Sequence, residues 1–342
     1  MNDLLTARSR PFAAFPPLAA VLATTAGLLL AAVMASVLLG VRSVAVTDIW
    51  QAFTAFDPNN PEQIVIRQIR LPQTLGGLLV GASLGMAGAI MQAVTRNPLA
   101  DPGLLGVNAG ATAGIVLPLF LLGMTDPSAF VWPALAGAFL ASSLIWALGA
   151  SGLGVLGLLI AGAALSAFLF SLVNGLLLIS QSALDIYRKW VLGSLQGITL
   201  DEIAALLPVF LVGFAAAAFA ARFLNALALG NDLARALGTN VRLASLFSLL
   251  AITCLCAASV ALAGPIGFIG LLMPHAARLV SRGDMRLTVL FSALFGAIFL
   301  LVADTVGRLV FPGLQIEAGL TIALLGGPIM VVLIRRGRVV AL

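Results

Sequence analysis

The sequence predicts an all-α polytopic membrane protein of about ten transmembrane helices, organised as one transmembrane domain over residues 1–342. Three observations predict it. Of the 342 residues, 61% are hydrophobic and 9% charged, against nearer half and a quarter in a soluble domain. A water-soluble fold cannot hide that much apolar surface, because a large share of its residues must still face water. The same composition excludes a disordered chain. Finally, the apolar residues are gathered into long runs. A span takes roughly 20 apolar residues, so ten spans use about 200 and leave only short loops.

The runs lie at 18–41, 75–95, 104–122, 129–148, 155–180, 203–224, 241–263, 265–280, 287–307 and 318–334. The first is too long for the apolar part of a signal peptide and is kept as a span. The run at 155–180 is long for a single crossing. Gly264-Pro265 favours interruption, so the segments on either side read as one broken element or as two helices. Small residues crowd several spans, notably 76–90 (GGLLVGASLGMAGAI) and 158–170 (LLIAGAALSAFLF). In lipid, close backbone approach supplies much of the helix packing, and small residues permit it. Cys254 and Cys256, in the apolar run ITCLCAASV, read as small membrane-buried residues rather than a disulfide or a metal site.

Charge sets the expected orientation. With ten spans and both termini in the cytoplasm, twelve of the 18 basic residues fall in inside segments and six outside. The loops are short enough for the positive-inside rule, and the opposite threading inverts the bias. The basic balance, nearly all of it Arg (the one Lys is Lys189), is therefore read as an expression of topology. It is not read as a nucleic-acid surface.

Little chemistry is available to the chain. It has no G-x-x-x-x-G-K-[ST] phosphate loop. With one His and one Tyr, it lacks the means for a metalloprotease or a serine-hydrolase triad. No catalytic residue, metal ligand or cofactor is expected. His275 is read as hydrogen-bonding at a helix end rather than ligating iron. An ion-coupled carrier would normally place carboxylates at mid-membrane, where a charge costs about 2.5–3.5 kcal/mol. Only Asp304 comes near that description, and Arg308, one helical turn on, can neutralise it.

Three segments are unusually polar or rich in Gly and Pro: 67–111, 227–242 and 260–284. They contain R-L-P at 70–72, Q-x-x-x-x-N-P-L-A-D-P from Gln92 to Pro102 and L-G-x-x-x-G-A from Leu105 to Ala111. They also contain G-x-x-x-A-x-x-L-G from Gly230 to Gly238 and G-P-I-G-F-I-G-L-x-x-P-H-x-x-R from Gly264 to Arg278. On these motifs, and over about residues 60–334, the chain resembles the permease subunits of ATP-binding-cassette importers for ferric siderophores, haem and cobalamin. The resemblance implies ten helices per subunit of the cobalamin/iron-siderophore (type II) kind, in the bacterial inner membrane. It implies a second permease subunit, identical or not, two cytoplasmic ATP-binding subunits, and a periplasmic or lipid-anchored binding protein that delivers the cargo. A ferric siderophore is the expected cargo, with haem or cobalamin as alternatives. A secondary transporter driven by an ion gradient remains the reading from another class.

The resemblance assigns roles residue by residue. Gly230, Ala234, Leu237 and Gly238, within the segment 227–242, would form the coupling helix that docks on the ATPase, with Leu237 as its knob; an ordinary amphipathic loop helix is the alternative. Arg67, Arg70 and Arg308 would attract acidic residues of the binding protein, where interfacial snorkelling is the alternative. Ser151 and Gly152, in the loop 149–154, would gate the path or merely turn the chain. Gly162, Ser166 and Asn174, with Asn97 and Pro98, would line the path. Two departures from the family wording stand out. Gln73 replaces the second arginine of R-L-P-R, and at 312–319 Gln315 and Glu317 stand where Glu and Pro are usual.

Overall fold

A computed structural model describes residues 17–40, 44–124, 127–149, 154–310 and 316–335. Among these the chain is helical throughout, with no strand. The helices are α1 (Leu18–Leu38), α2 (Val46–Thr54), α3 (Pro61–Ile64), α4 (Leu71–Thr95), α5 (Val107–Leu122), α6 (Val131–Gly149), α7 (Gly154–Ile179), α8 (Gln181–Val191), α9 (Leu200–Ala228), α10 (Asn231–Ala236), α11 (Val241–Ala263), α12 (Ile269–Arg278), α13 (Met285–Leu309) and α14 (Ala318–Arg335). A π-helical stretch, Val65–Arg70, carries α3 into α4.

Seven of these helices are long and apolar enough to cross a membrane: α1, the continuous stretch Pro61–Thr95, α6, α7, α9, α11 and α13. With the shorter apolar helices α5 and α14 and the ten-residue α12, they account for each of the ten apolar runs in the sequence. The break at Gly264-Pro265 gives two helices. Gly264 leaves α11 with φ 70°, a non-helical backbone follows, and α12 begins only at Ile269.

Ends and turns follow from local chemistry. Asn60 accepts from the backbone N–H groups of Glu62 and Gln63, and Pro61 takes the first helical position of α3, where its missing N–H costs nothing. Thr199 and Glu202 form a reciprocal capping box at the start of α9. Asn240 caps α11 and Asp284 caps α13 through single side-chain acceptors.

The core gathers on α4. Gly81 faces Gly296 of α13, Gly85 faces Ser292 of α13, and Gly88 faces Gly270 of α12, backbone against backbone, so that a Cβ at any of the three would overlap a main-chain atom. The glycine spacing of three and four residues puts all three on neighbouring faces of one helix, which lets the helices touch without side chains between them. Cys254 and Cys256 are buried free thiols within α11.

Candidate functional site

At one end of the bundle, the 29-residue α9 gives way to the short α10. Gly230 makes the turn at φ 106°, a backbone angle that favours glycine, and its carbonyl accepts from Ala234. At the far side Gly238 sits at φ 77°, and Thr239 N–H returns to the Ala234 carbonyl at 2.9 Å. This is the αL closure common at helix C-termini. Ala234 is the buried face of the helix. Leu237 is 64% exposed, and so, at 57%, is Leu233 one turn before it. The two leucines project side by side, flanked by the exposed Asp232–Arg235 pair at 3.2 Å. Leu233 had not been singled out from the sequence, yet its i, i+4 spacing to Leu237 is the signal that marks it.

The same end carries two polar junctions. In the first, Asn225 of α9 donates to Asp284 Oδ1 at 3.0 Å and accepts from Met285 N–H at 2.8 Å. The Asn225 amide first, and then the Arg286 backbone N–H that also donates to Oδ1, hold the Asp284 carboxyl below its usual range. In the second, Gln92 lies fully buried in the last turns of α4. Its Nε2 donates to the carbonyls of Gly270 and Leu271 at 3.3 Å each, and its Oε1 accepts from Arg278. His275 hydrogen-bonds the Leu271 carbonyl through Nδ1 at 2.9 Å, one turn back along α12.

The opposite end holds the three arginines expected to meet a binding protein, and the structure separates them. Arg67 is exposed, its guanidinium 4.6 Å from the Phe56 ring centroid. Arg308, 2% exposed, pairs with Asp304 at 3.0 Å, close in distance but off the line of a hydrogen bond. It also donates to the Ser36 carbonyl, Ser36 Oγ and Thr305 Oγ1, each at 3.2 Å. Ser36 in turn bonds Thr74 at 2.9 Å. Arg70, 5% exposed, lies within the field of Arg308 and Asp304 and donates to the Leu39 carbonyl. The reason is physical: a carboxylate and a carbonyl-rich helix end satisfy these two guanidinium groups inside the bundle, so their charge is turned away from the surface.

Of the expected path residues, Gly162 is buried on α7, Ser166 is half-buried and Asn174 is exposed. Ser166 lies beside the turn at Gly106, with its Oγ 3.7 Å from where a Cβ of Gly106 would stand. An apolar groove of about 420 Å³ opens between α5, α6 and α7, with Leu117, Pro118, Leu140, Leu165 and Leu169 among its walls. Asn97 is exposed in the loop after α4, where its Oδ1 accepts from Leu99 N–H at 2.9 Å, and Pro98 is half-buried beside it. Ser151 and Gly152 lie outside the described residues.

Known proteins are similar to this chain in sequence and in fold. The FecCD transport family matches residues 28–336. The ferric enterobactin transport system permease protein FepD of Escherichia coli (strain K12) is 41% identical over 312 residues, 90% of this chain and 93% of its own. The probable siderophore transport system permease protein YfiZ of Bacillus subtilis (strain 168) is 39% identical over 313 residues, 91% of this chain and 94% of its own. A solved chain described as an inward-facing metal-chelate type ABC transporter superposes with a TM-score of 0.82 at 28% identity, covering 93% of this chain and 99% of that one. The family model matches most of the chain and both relatives span about nine-tenths of it, and on that ground the chain belongs to the FecCD transport family.

Proposed function

We propose that this chain is the membrane-spanning subunit of an ATP-driven importer and carries a ferric siderophore into the cytoplasm. Two ATP-binding subunits would press on α10 from the cytoplasmic side, and both termini would lie on that side; the bias of arginines toward the inside segments supports this. A second permease subunit would complete the path. A binding protein would dock on the other face. The single observation that carries the reading is the pair Leu233 and Leu237, two exposed leucines on a short helix braced by Gly230 and Gly238. An apolar knob on a charged loop has no purpose in water and fits a cleft in a partner.

The cargo is proposed from relatives whose names specify ferric enterobactin and siderophores. Docking charge is assigned first to the exposed Arg67. Arg70 and Arg308 would support that face from beneath, by fixing α1 and α13 against α4. Gly162, Ser166 and Asn174 would line the path, with Asn97, Pro98, Ser151 and Gly152 at its cytoplasmic mouth. The pairing of Asp304 with Arg308 leaves the ion-gradient alternative without its carboxylate.

The test is uptake into proteoliposomes holding the permease pair, its ATP-binding subunits and its binding protein. A panel of ferric enterobactin, ferric citrate, haemin and cobalamin identifies the cargo. Uptake should need internal ATP, stop with vanadate and survive a protonophore. Uptake that a protonophore abolishes while ATP is present would establish the ion-coupled alternative instead.

A further inference from the structure

The α4 terminus touches both the coupling helix and α12, and no established role accounts for how its polar groups are arranged. Just past its last residue, Thr95, the chain turns through Arg96, a non-glycine residue at φ 51°. The Arg96 guanidinium lies 3.3 Å from where a Cβ of Gly230 would stand. One turn earlier, Gln92 holds the first carbonyls of α12 and the Arg278 guanidinium from its last residue. Arg278 therefore reaches back along its own helix, into the bundle rather than out of it. Among the described residues, its Nε and Nη1 are buried and have no hydrogen-bond partner, and the same holds for Nε2 of His275.

Buried polar groups left unsatisfied are costly, and an arrangement that keeps them is one the surroundings impose. An element that is strained in one state and relaxed in another is what transmits motion between sites, because packed interfaces have discrete arrangements rather than a continuum. Below the joint, Gly88 and Gly270 bring the backbones of α4 and α12 into direct contact, so a displacement at the end of α4 cannot be absorbed by side chains before it reaches α12.

We propose that Gln92 and Arg278 form the mechanical joint between the coupling helix and the broken segment around α12. Movement of α10 reaches the end of α4 at Arg96, passes through the Gln92 amide to Gly270 and Leu271, and releases Arg278 from its incomplete burial. Both are positioning residues; neither touches nucleotide or cargo. The inference rests on the ATP-driven reading above.

Its test is Gln92→Leu in the reconstituted complex, read on ferric enterobactin or ferric citrate, whichever wild type takes up. Loss of the joint uncouples: uptake falls about tenfold, a typical coupling energy expressed as a rate, while ATP hydrolysis stays within about twofold of wild type. The second variant, Gln92→Leu with Arg278→Met, removes both polar partners and leaves no guanidinium buried without its acceptor, so the protein regains the thermal stability that the single change costs it. Uptake by this double variant should remain low. Restored uptake in the double variant, or hydrolysis and uptake falling in step in both, would reduce the joint to a packing contact and overturn the proposal. Unaltered uptake in Gln92→Leu would overturn it as well. Failure of wild type to show ATP-driven uptake sinks the underlying reading; ATP-driven uptake indifferent to both variants sinks only this one.

Discussion

Helices α4 and α7 have nearly the same length and the same apolar, glycine-bearing character, yet they occupy opposite situations. In the span containing α4, 72% of the most apolar window is buried inside the subunit; in α7 the figure is 17%. Three glycines of α4 meet the backbones of α12 and α13, whereas Gly175 of α7 has, among the described residues, no neighbour that a Cβ would touch. The difference teaches that one apolar run can do two jobs. Where small residues form a stripe, the helix is a scaffold and carries stability. Where its side chains are left uncovered, it is a surface held for lipid, cargo or a partner subunit. Substitutions should therefore cost stability in the first region and function alone in the second.

The largest stability cost is expected at Arg308, in the scaffold. Arg308→Met leaves the Asp304 carboxylate buried without its cation, which costs about 3–5 kcal/mol, and it also drops the bonds that hold Ser36 of α1. Thermal unfolding of the purified protein in detergent measures the loss. Pairing the change with Asp304→Asn should recover part of it, because the unpaired charge is then gone. A single variant as stable as wild type would mean that the pair is solvated and that the scaffold does not extend to this end.

Gly85→Leu comes next. The added side chain meets the Ser292 main chain, which cannot rotate away, so the cost lies at or above the upper end of ordinary overpacking, about 3 kcal/mol. Gly175→Leu is the matched change on α7 and should stay within about 0.5 kcal/mol. The same unfolding assay run on both variants sharpens the contrast; equal losses would erase it.

How much of this could be read in the sequence depends on which physical signal a residue leaves. Spans were legible because a bilayer demands a length of apolar chain, and all ten runs find their helix. The interruption at Gly264-Pro265 was legible from its dipeptide. Two small-residue stretches, at 76–90 and 158–170, looked alike as composition; the structure shows the close backbone contacts of the first, at Gly81, Gly85 and Gly88, which composition alone did not single out. The pairing of Asp304 with Arg308 followed from helical spacing. Its consequence, that Arg308 and Arg70 are turned inward, did not, because the partners Ser36 and Leu39 come from a helix more than thirty residues away from either. Gln92 could be seen as part of a motif but not as a joint, since its partners lie on α12, 178 or more positions along the chain.

On the uncovered surfaces, Leu233→Asp and Leu237→Asp should each leave stability within about 0.5 kcal/mol, as surface changes do, because both side chains already face outward. Their effect belongs to the partner: binding-protein-stimulated ATP hydrolysis and uptake should both be lost. Stimulated hydrolysis at wild-type level in either variant would remove that leucine from the docking knob.

Arg67→Glu tests the same principle at the other end and carries the smallest effect. Arg67 is exposed and leans on Phe56, so reversing its charge should leave folding unchanged at the level of a cation–π contact, about 0.5–1 kcal/mol. A rim charge of this kind acts chiefly on the rate and orientation of approach. Association of the binding protein, followed by surface plasmon resonance on the reconstituted permease, should slow, and the difference from wild type should shrink as salt is raised because exposed charges are screened. The buried arginines sharpen the reading: Arg308→Met should depress association only in proportion to the folded fraction, with no salt dependence of its own. If Arg67→Glu associates as wild type does at low salt, the docking face lies elsewhere on that end of the bundle, and exposure alone does not identify it.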